Sequence, residues 1–100
     1  MSVLSDLHEQ RLRRLPCVAC FVLNGVRNFH QIELHHIESV RHDFSDFLQL
    51  PVCWDCHQGM EGIHGRQRGG WERSAGVTQL QLLGVTNSML LADRAALVGG

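Results

Sequence analysis

The chain of 100 residues predicts a small α+β fold cross-linked by a metal ion. Three observations carry that expectation. Two Cys-x-x-Cys pairs, Cys17/Cys20 and Cys53/Cys56, lie in separate segments. The short apolar stretches around "ELHHI" and "LQLPV" have strand character, and the two ends of the chain carry leucines at helical spacing. A chain this long makes one domain with a modest core, and domains of that size often lean on metals or disulfides.

The elements follow in order. Residues 2–15 read as a helix with Leu4, Leu7, Leu12 and Leu15 on one face and Ser2 or Ser5 as its cap. Arg11, Arg13 and Arg14 fall where they complement the negative end of the helix dipole, and Pro16 ends the element. Next, "CVACFVLNGVRNF" reads as a knuckle leading into a hairpin, with Asn24-Gly25 as the turn signal. A strand is expected over Gln31–Ile37, a second over Leu48–Val52, and a short helix over residues 53–61. The stretch "GIHGRQRGG" reads as loop. In residues 77–98, Leu80, Leu83, Leu90, Leu91 and Leu97 are helical, with Gly84 and Asn87 expected to divide the stretch into two helices that pack on the first helix or form a dimer face. The expected organisation is one domain in three parts. Residues 1–16 form the leading helix, 17–66 the metal core, and 67–100 a loop with leucine-rich helices.

The hydrophobic fraction, 44%, is ordinary for a soluble fold. No run of apolar residues is long enough to span a bilayer, and "MSVLSDLHEQRLRRL" has acids but no apolar h-region. Both point to a cytoplasmic, reducing setting. Nine basic residues, all arginine, stand against ten acidic ones. That balance gives no long-range attraction to nucleic acid, so phosphate contacts have to come from local arginines.

In a reducing compartment, paired cysteines are more often metal ligands than disulfides. Two close pairs from distant segments supply the four ligands of a tetrahedral zinc site. The zinc would join the knuckle to the start of the short helix, the arrangement of a treble clef, and its binding energy becomes folding energy. A thioredoxin-like redox pair is the alternative, but it requires one CxxC opening a helix in a βαβ unit.

The histidines suggest a second site. Cys56 and His57 are adjacent, and neighbours on a helix point ~100° apart. If Cys56 faces the zinc, His57 faces elsewhere. His57 and His64 would be ~10 Å apart along a continuous helix, too far for one ion, so the helix has to break between them. Gly59 and Gly62 permit the break. His35 and His36 point to opposite faces of a regular strand, so one can bind a metal while the other does something else. His8, His30 and His42 read as ordinary surface histidines.

At this point "ELHHI" followed by "LPVCWDCH" resembles the HNH (ββα-metal, His-Me finger) nucleases that carry a four-cysteine structural zinc. The longer pattern "LPCVAC…ELHHI…LPVCWDCHQG…GIHG" is similar to phage and prophage nucleases of the Ref type, associated with recombination enhancement. The resemblance implies that His35, His57 and His64 hold a catalytic divalent metal (Mg2+, Mn2+ or Zn2+) and that His36 is the general base. Metal and base together serve phosphodiester hydrolysis, and the ordinary titration range of an imidazole suits the base. The family's usual middle Asn is replaced here. Leu48 is the nearest matching position, with Asp43, Ser45 and Asp46 in the loop before it.

The reading is a metal-dependent DNA endonuclease of low sequence specificity, acting as monomer or homodimer, with a recombination protein as a candidate partner. Arg41, Arg66, Arg68 and Arg73 are its candidate phosphate contacts, which position DNA without reading it. Trp54 and Trp71 can stack on bases or fill the core. The alternative is a non-catalytic zinc module that binds DNA or a protein.

Overall fold

The computed structural model describes residues 3–37, 47–60, 62–65 and 70–99, the last six of these by backbone alone. The elements run α1 (Val3–Leu12), α2 (Val18–Asn24), β1 (Ile32–His36), β2 (Gln49–Cys53), α3 (Trp54–Gln58), α4 (Gly70–Ala75) and α5 (Gln79–Gly99). This is the small α+β fold expected, with the knuckle, strand pair and short helix in treble-clef order and helices on either side.

The two strands are antiparallel, with His35 opposite Leu50 and Ile32 opposite Cys53. All five residues of β2 are buried. The Leu48 carbonyl accepts from the Ile37 amide (3.1 Å) and closes the far end of the ladder. Pro51 sits inside β2 opposite Leu34. It is tolerated because both strands of a two-stranded sheet are edges. The main core gathers Val18, Leu50, Val52, Trp71 and Leu82 around Cys17 and Cys53. A smaller cluster joins Leu12 and Leu15 to Leu90, and the Arg11 guanidinium donates to the Leu90 carbonyl (2.8 Å). The tail therefore packs on the first helix.

Four local expectations are corrected. Asn24-Gly25 is not a hairpin turn: residues 18–24 are helical, and Gly25, at φ 67°, is the left-handed cap whose amide reaches back to the Phe21 carbonyl. The same dipeptide suits both uses, because each needs positive φ. Gly84 and Asn87 do not divide the tail, which is one helix of 21 residues. Its packing overrides the propensity loss of a single glycine. Residues 70–75 are helical, where a loop had run on from "GRQRGG". Finally, Ser5 does not cap α1 but lies buried within it, while Leu4 and Leu7 are exposed.

Thr78 and Gln81 open α5 with a reciprocal cap. The Thr78 hydroxyl accepts from the Gln81 amide (3.0 Å), and the Gln81 side chain accepts from the Thr78 amide (2.8 Å). Glu72 of α4 accepts from the next amide, that of Gln79 (2.6 Å). These bonds fix the start of α5, and the side chain of Gln79 points into the site.

Candidate metal centres

Cys17 caps α2, its sulfur accepting from the Cys20 amide (3.3 Å). Cys53 ends β2, and Cys56 follows on the first turn of α3. The four sulfurs lie within 4.8 Å of one another. The Cys20 sulfur is 3.8 Å from those of both Cys53 and Cys56. A tetrahedron of sulfurs bonded to zinc at ~2.3 Å has edges of about 3.8 Å, so the cluster has the size of a zinc site. No disulfide links the four. Asn28 adds two supports unseen in the sequence: its carbonyl accepts from the Cys17 amide (2.7 Å), and its side chain approaches the Cys20 sulfur (3.8 Å).

Crowding splits the thiols. A hydrogen bond from Cys56 lowers Cys17 to about 5, while burial, then the charge of Cys17, raises Cys20 to about 11. The Cys56 thiol is pushed up strongly by its hydrogen bond to Cys17 and by burial. Without a cation the cluster favours a thiolate at Cys17 beside protonated Cys20 and Cys56. A divalent cation reverses that preference by compensating several thiolates at once. The donor set therefore fits zinc.

The second cluster is imidazole. One ring nitrogen each from His35, His57 and His64 lies within 4.8 Å of the other two. The ring centroids are separated by 5.1 Å (His35–His57), 5.0 Å (His35–His64) and 4.6 Å (His57–His64). Burial is graded: His35 is buried at 2% exposure, His57 is intermediate and His64 exposed. The cluster has a floor on the sheet and an open side at His64.

The helix break expected between His57 and His64 is present, and its construction is specific. α3 ends at Gln58, and the chain then doubles back along its own last turn. The Ile63 amide donates to the Cys56 carbonyl (2.8 Å) and the His64 amide to the His57 carbonyl (2.9 Å). That second bond sets His64 beside His57. The fold-back leaves no room for side chains at its glycines. A Cβ on Gly62 would lie 2.5 Å from the Asp55 carbonyl oxygen, and one on Gly65 would lie 2.0 Å from that of Gly59.

Two polar side chains orient the rings. His57 Nδ1 donates to Glu33 Oε1 (2.7 Å), which also accepts from Gln58 (3.0 Å). These bonds, that of His57 foremost, hold the Glu33 carboxyl below its ordinary range. A carboxylate only accepts, so the proton sits on Nδ1 and the Nε2 lone pair is left for a ligand. His35 is set the other way: its Nε2 meets Gln79 Oε1 (2.8 Å), and an amide oxygen also only accepts, so Nδ1 keeps the lone pair. Partners of this kind fix ring orientation and basicity at metal sites. Glu33 lies two residues before His35, a spacing that puts both on one face of a strand. Gln79 left no signal, because its role depends on where α5 docks.

Residues 6–94 match the family described as "Recombination enhancement, RecA-dependent nuclease". The chain belongs to that family. A search of curated proteins finds no match. For a member of this nuclease family, the remaining sequence-based candidates divide clearly. His36 follows His35 on β1 and is exposed, as strand alternation requires. Arg73 is exposed on α4. Arg41, Arg66 and Arg68 lie outside the described residues, as do Asp43, Ser45 and Asp46. Leu48 is half-buried and contributes its carbonyl to the strand ladder. Trp71 is in the core and Trp54 is exposed. His8 packs its ring against Phe47 at 5.3 Å, and His30 is exposed. No helix among the described residues is long and apolar enough to cross a membrane.

Proposed function

We propose that the protein is an HNH-type endonuclease that hydrolyses phosphodiester bonds of DNA with little sequence specificity, in a recombination setting that involves RecA. The convergence of His35, His57 and His64 beside a four-cysteine cluster carries this reading. In it, Cys17, Cys20, Cys53 and Cys56 hold a structural zinc, and the three histidines hold a divalent metal. That metal, when bound, supplies positive charge for the phosphate and the leaving oxygen.

The chain's own groups do the rest. Glu33 and Gln79 hold the His57 and His35 rings in their ligating orientations. His36, next to a ligand yet exposed, is placed to meet solvent and takes the proton from the attacking water. The open side at His64 gives the DNA backbone access. Arg73, with Arg41, Arg66 and Arg68, contributes phosphate contacts that carry no sequence information. In place of the usual Asn, the Leu48 carbonyl secures the strand ladder next to the two histidines.

Plasmid nicking with added magnesium or manganese, with and without RecA, tests the proposal. The wild type is expected to cut and His36→Ala to be slowed by about 10²- to 10⁴-fold, the usual contribution of a general base. Equal cutting by both proteins would remove His36 from the mechanism. No cutting under any of these conditions would leave a zinc module that only binds.

A further inference from the structure

Away from the histidines, Asp93 Oδ2 is buried and has no hydrogen-bond partner among the described residues. A buried acceptor left unpaired is destabilising unless something binds to it. The other oxygen, Oδ1, faces the Arg14 guanidinium at 3.8 Å. Both residues line a cavity of about 330 Å³ between the end of α1, the segment after α2, and α5, together with Phe21, Arg27, Phe29 and Met89. The Arg27 guanidinium lies 5.6 Å from the centre of the Phe21 ring. Phe29 is 60% exposed, a large apolar ring held at the surface.

We infer that this cavity is a subsite for one unpaired nucleotide of the DNA strand. Three separate chemistries meet in it and match the three parts of that ligand. Phe29 and the Arg27–Phe21 pair offer flat faces for a base. Arg14 and Arg27 offer two cations for the adjoining phosphates. Asp93, whose side chain is 26% exposed, offers its carboxylate as an acceptor for a base amino group. The volume suits one base and excludes a duplex. The position also suits a strand running to the histidines. Met89 and Asp93 lie ten and fourteen residues beyond Gln79 on the same helix, about 15–21 Å along its axis. The subsite rests on the nuclease reading for its ligand, but it shares no residue with the proposed catalytic centre.

Binding of short fluorescent oligo(dC) and oligo(dT) strands to the zinc-loaded protein, without added magnesium or manganese, tests it by anisotropy. Phe29→Leu is expected to weaken both strands about five-fold or more. Arg27→Met is expected to reduce the slope of log affinity against log salt by about 0.7, one single-strand phosphate contact. Asp93→Ala is expected to abolish a preference for oligo(dC), whose bases carry an amino donor where thymine carries an acceptor. Zinc content and thermal unfolding of each variant confirm its fold. Strand binding that is untouched by Phe29→Leu and Asp93→Ala overturns the subsite. So does a wild type that cuts plasmid but binds neither strand. Conversely, strand binding that these variants impair in a protein that never cuts overturns the nuclease reading and leaves the subsite standing.

Discussion

Gln79 shows how much one side chain can set at the residue scale. It reaches His35 from a different element, and its amide oxygen decides which ring nitrogen keeps a lone pair. The expected result of Gln79→Ala is a second metal site weakened about 10- to 100-fold, with the four-cysteine site unchanged. Cobalt titration separates the two, since thiolate and imidazole sites absorb differently. Gln79→Glu keeps an acceptor at the same reach and is expected to restore most of the affinity. The two clusters were legible in the sequence because metal chemistry restricts which residues serve and how they are spaced. Of the orienting partners, Glu33 shares a strand face with His35, but Gln79 left no signal, because any acceptor at the right distance serves and its distance depends on docking. Arg41, Arg66 and Arg68 belong to the expectations alone, as they lie outside the described residues.

At the scale of elements, the fold-back after α3 is the decisive construction. The sequence announced a break through Gly59 and Gly62, but not that the returning strand would hydrogen-bond to the carbonyls of Cys56 and His57. Gly65 carries the tightest contact, with a Cβ position 2.0 Å from the Gly59 carbonyl oxygen. Gly65→Ala is therefore expected to force the loop open, with a stability loss of about 1–3 kcal/mol typical of overpacking. Displacement of His64 should follow. The check is metal analysis: one zinc retained per chain, and the second site lost together with nicking. Elsewhere, element types were misread where one signal has two meanings. Asn24-Gly25 fits a hairpin turn and a helix cap equally, and only the helical setting of residues 18–24 decides between them. Gly84 and Asn87 looked like a boundary, yet Leu82 before them and Thr86 between them are fully buried and hold the helix through them.

For the whole molecule, the four-cysteine cluster brings together segments far apart in the sequence. Cys17 caps α2, Cys20 lies in it, Cys53 belongs to β2 and Cys56 to α3, and the main core surrounds them. A chain of this size buries limited apolar surface, so the proposed zinc cross-link would have a large share in its stability. Treatment with a strong chelator is expected to abolish cooperative thermal unfolding and helical circular dichroism, and Cys53→Ser should give the same result without chelator. A protein that keeps its melting transition after losing all zinc would show that the apolar core suffices alone. The fold class was legible because paired cysteines and apolar periodicity are global constraints. The docking of α5 on both α1 and the sheet was not, since leucines at helical spacing say that a face is buried but not against what.

Cys56 and His57 are consecutive residues of a five-residue helix. In the proposed reading one holds the structural zinc and the other ligates the catalytic metal. On that reading a newly made chain is expected to fill the thiolate site before the imidazole site, since the helix that presents His57 is pinned by its neighbour. A cell short of zinc would accumulate chains whose cutting centre never assembles. On this reading the supply of zinc, and not only the presence of a partner, would set how much DNA cutting the protein can do.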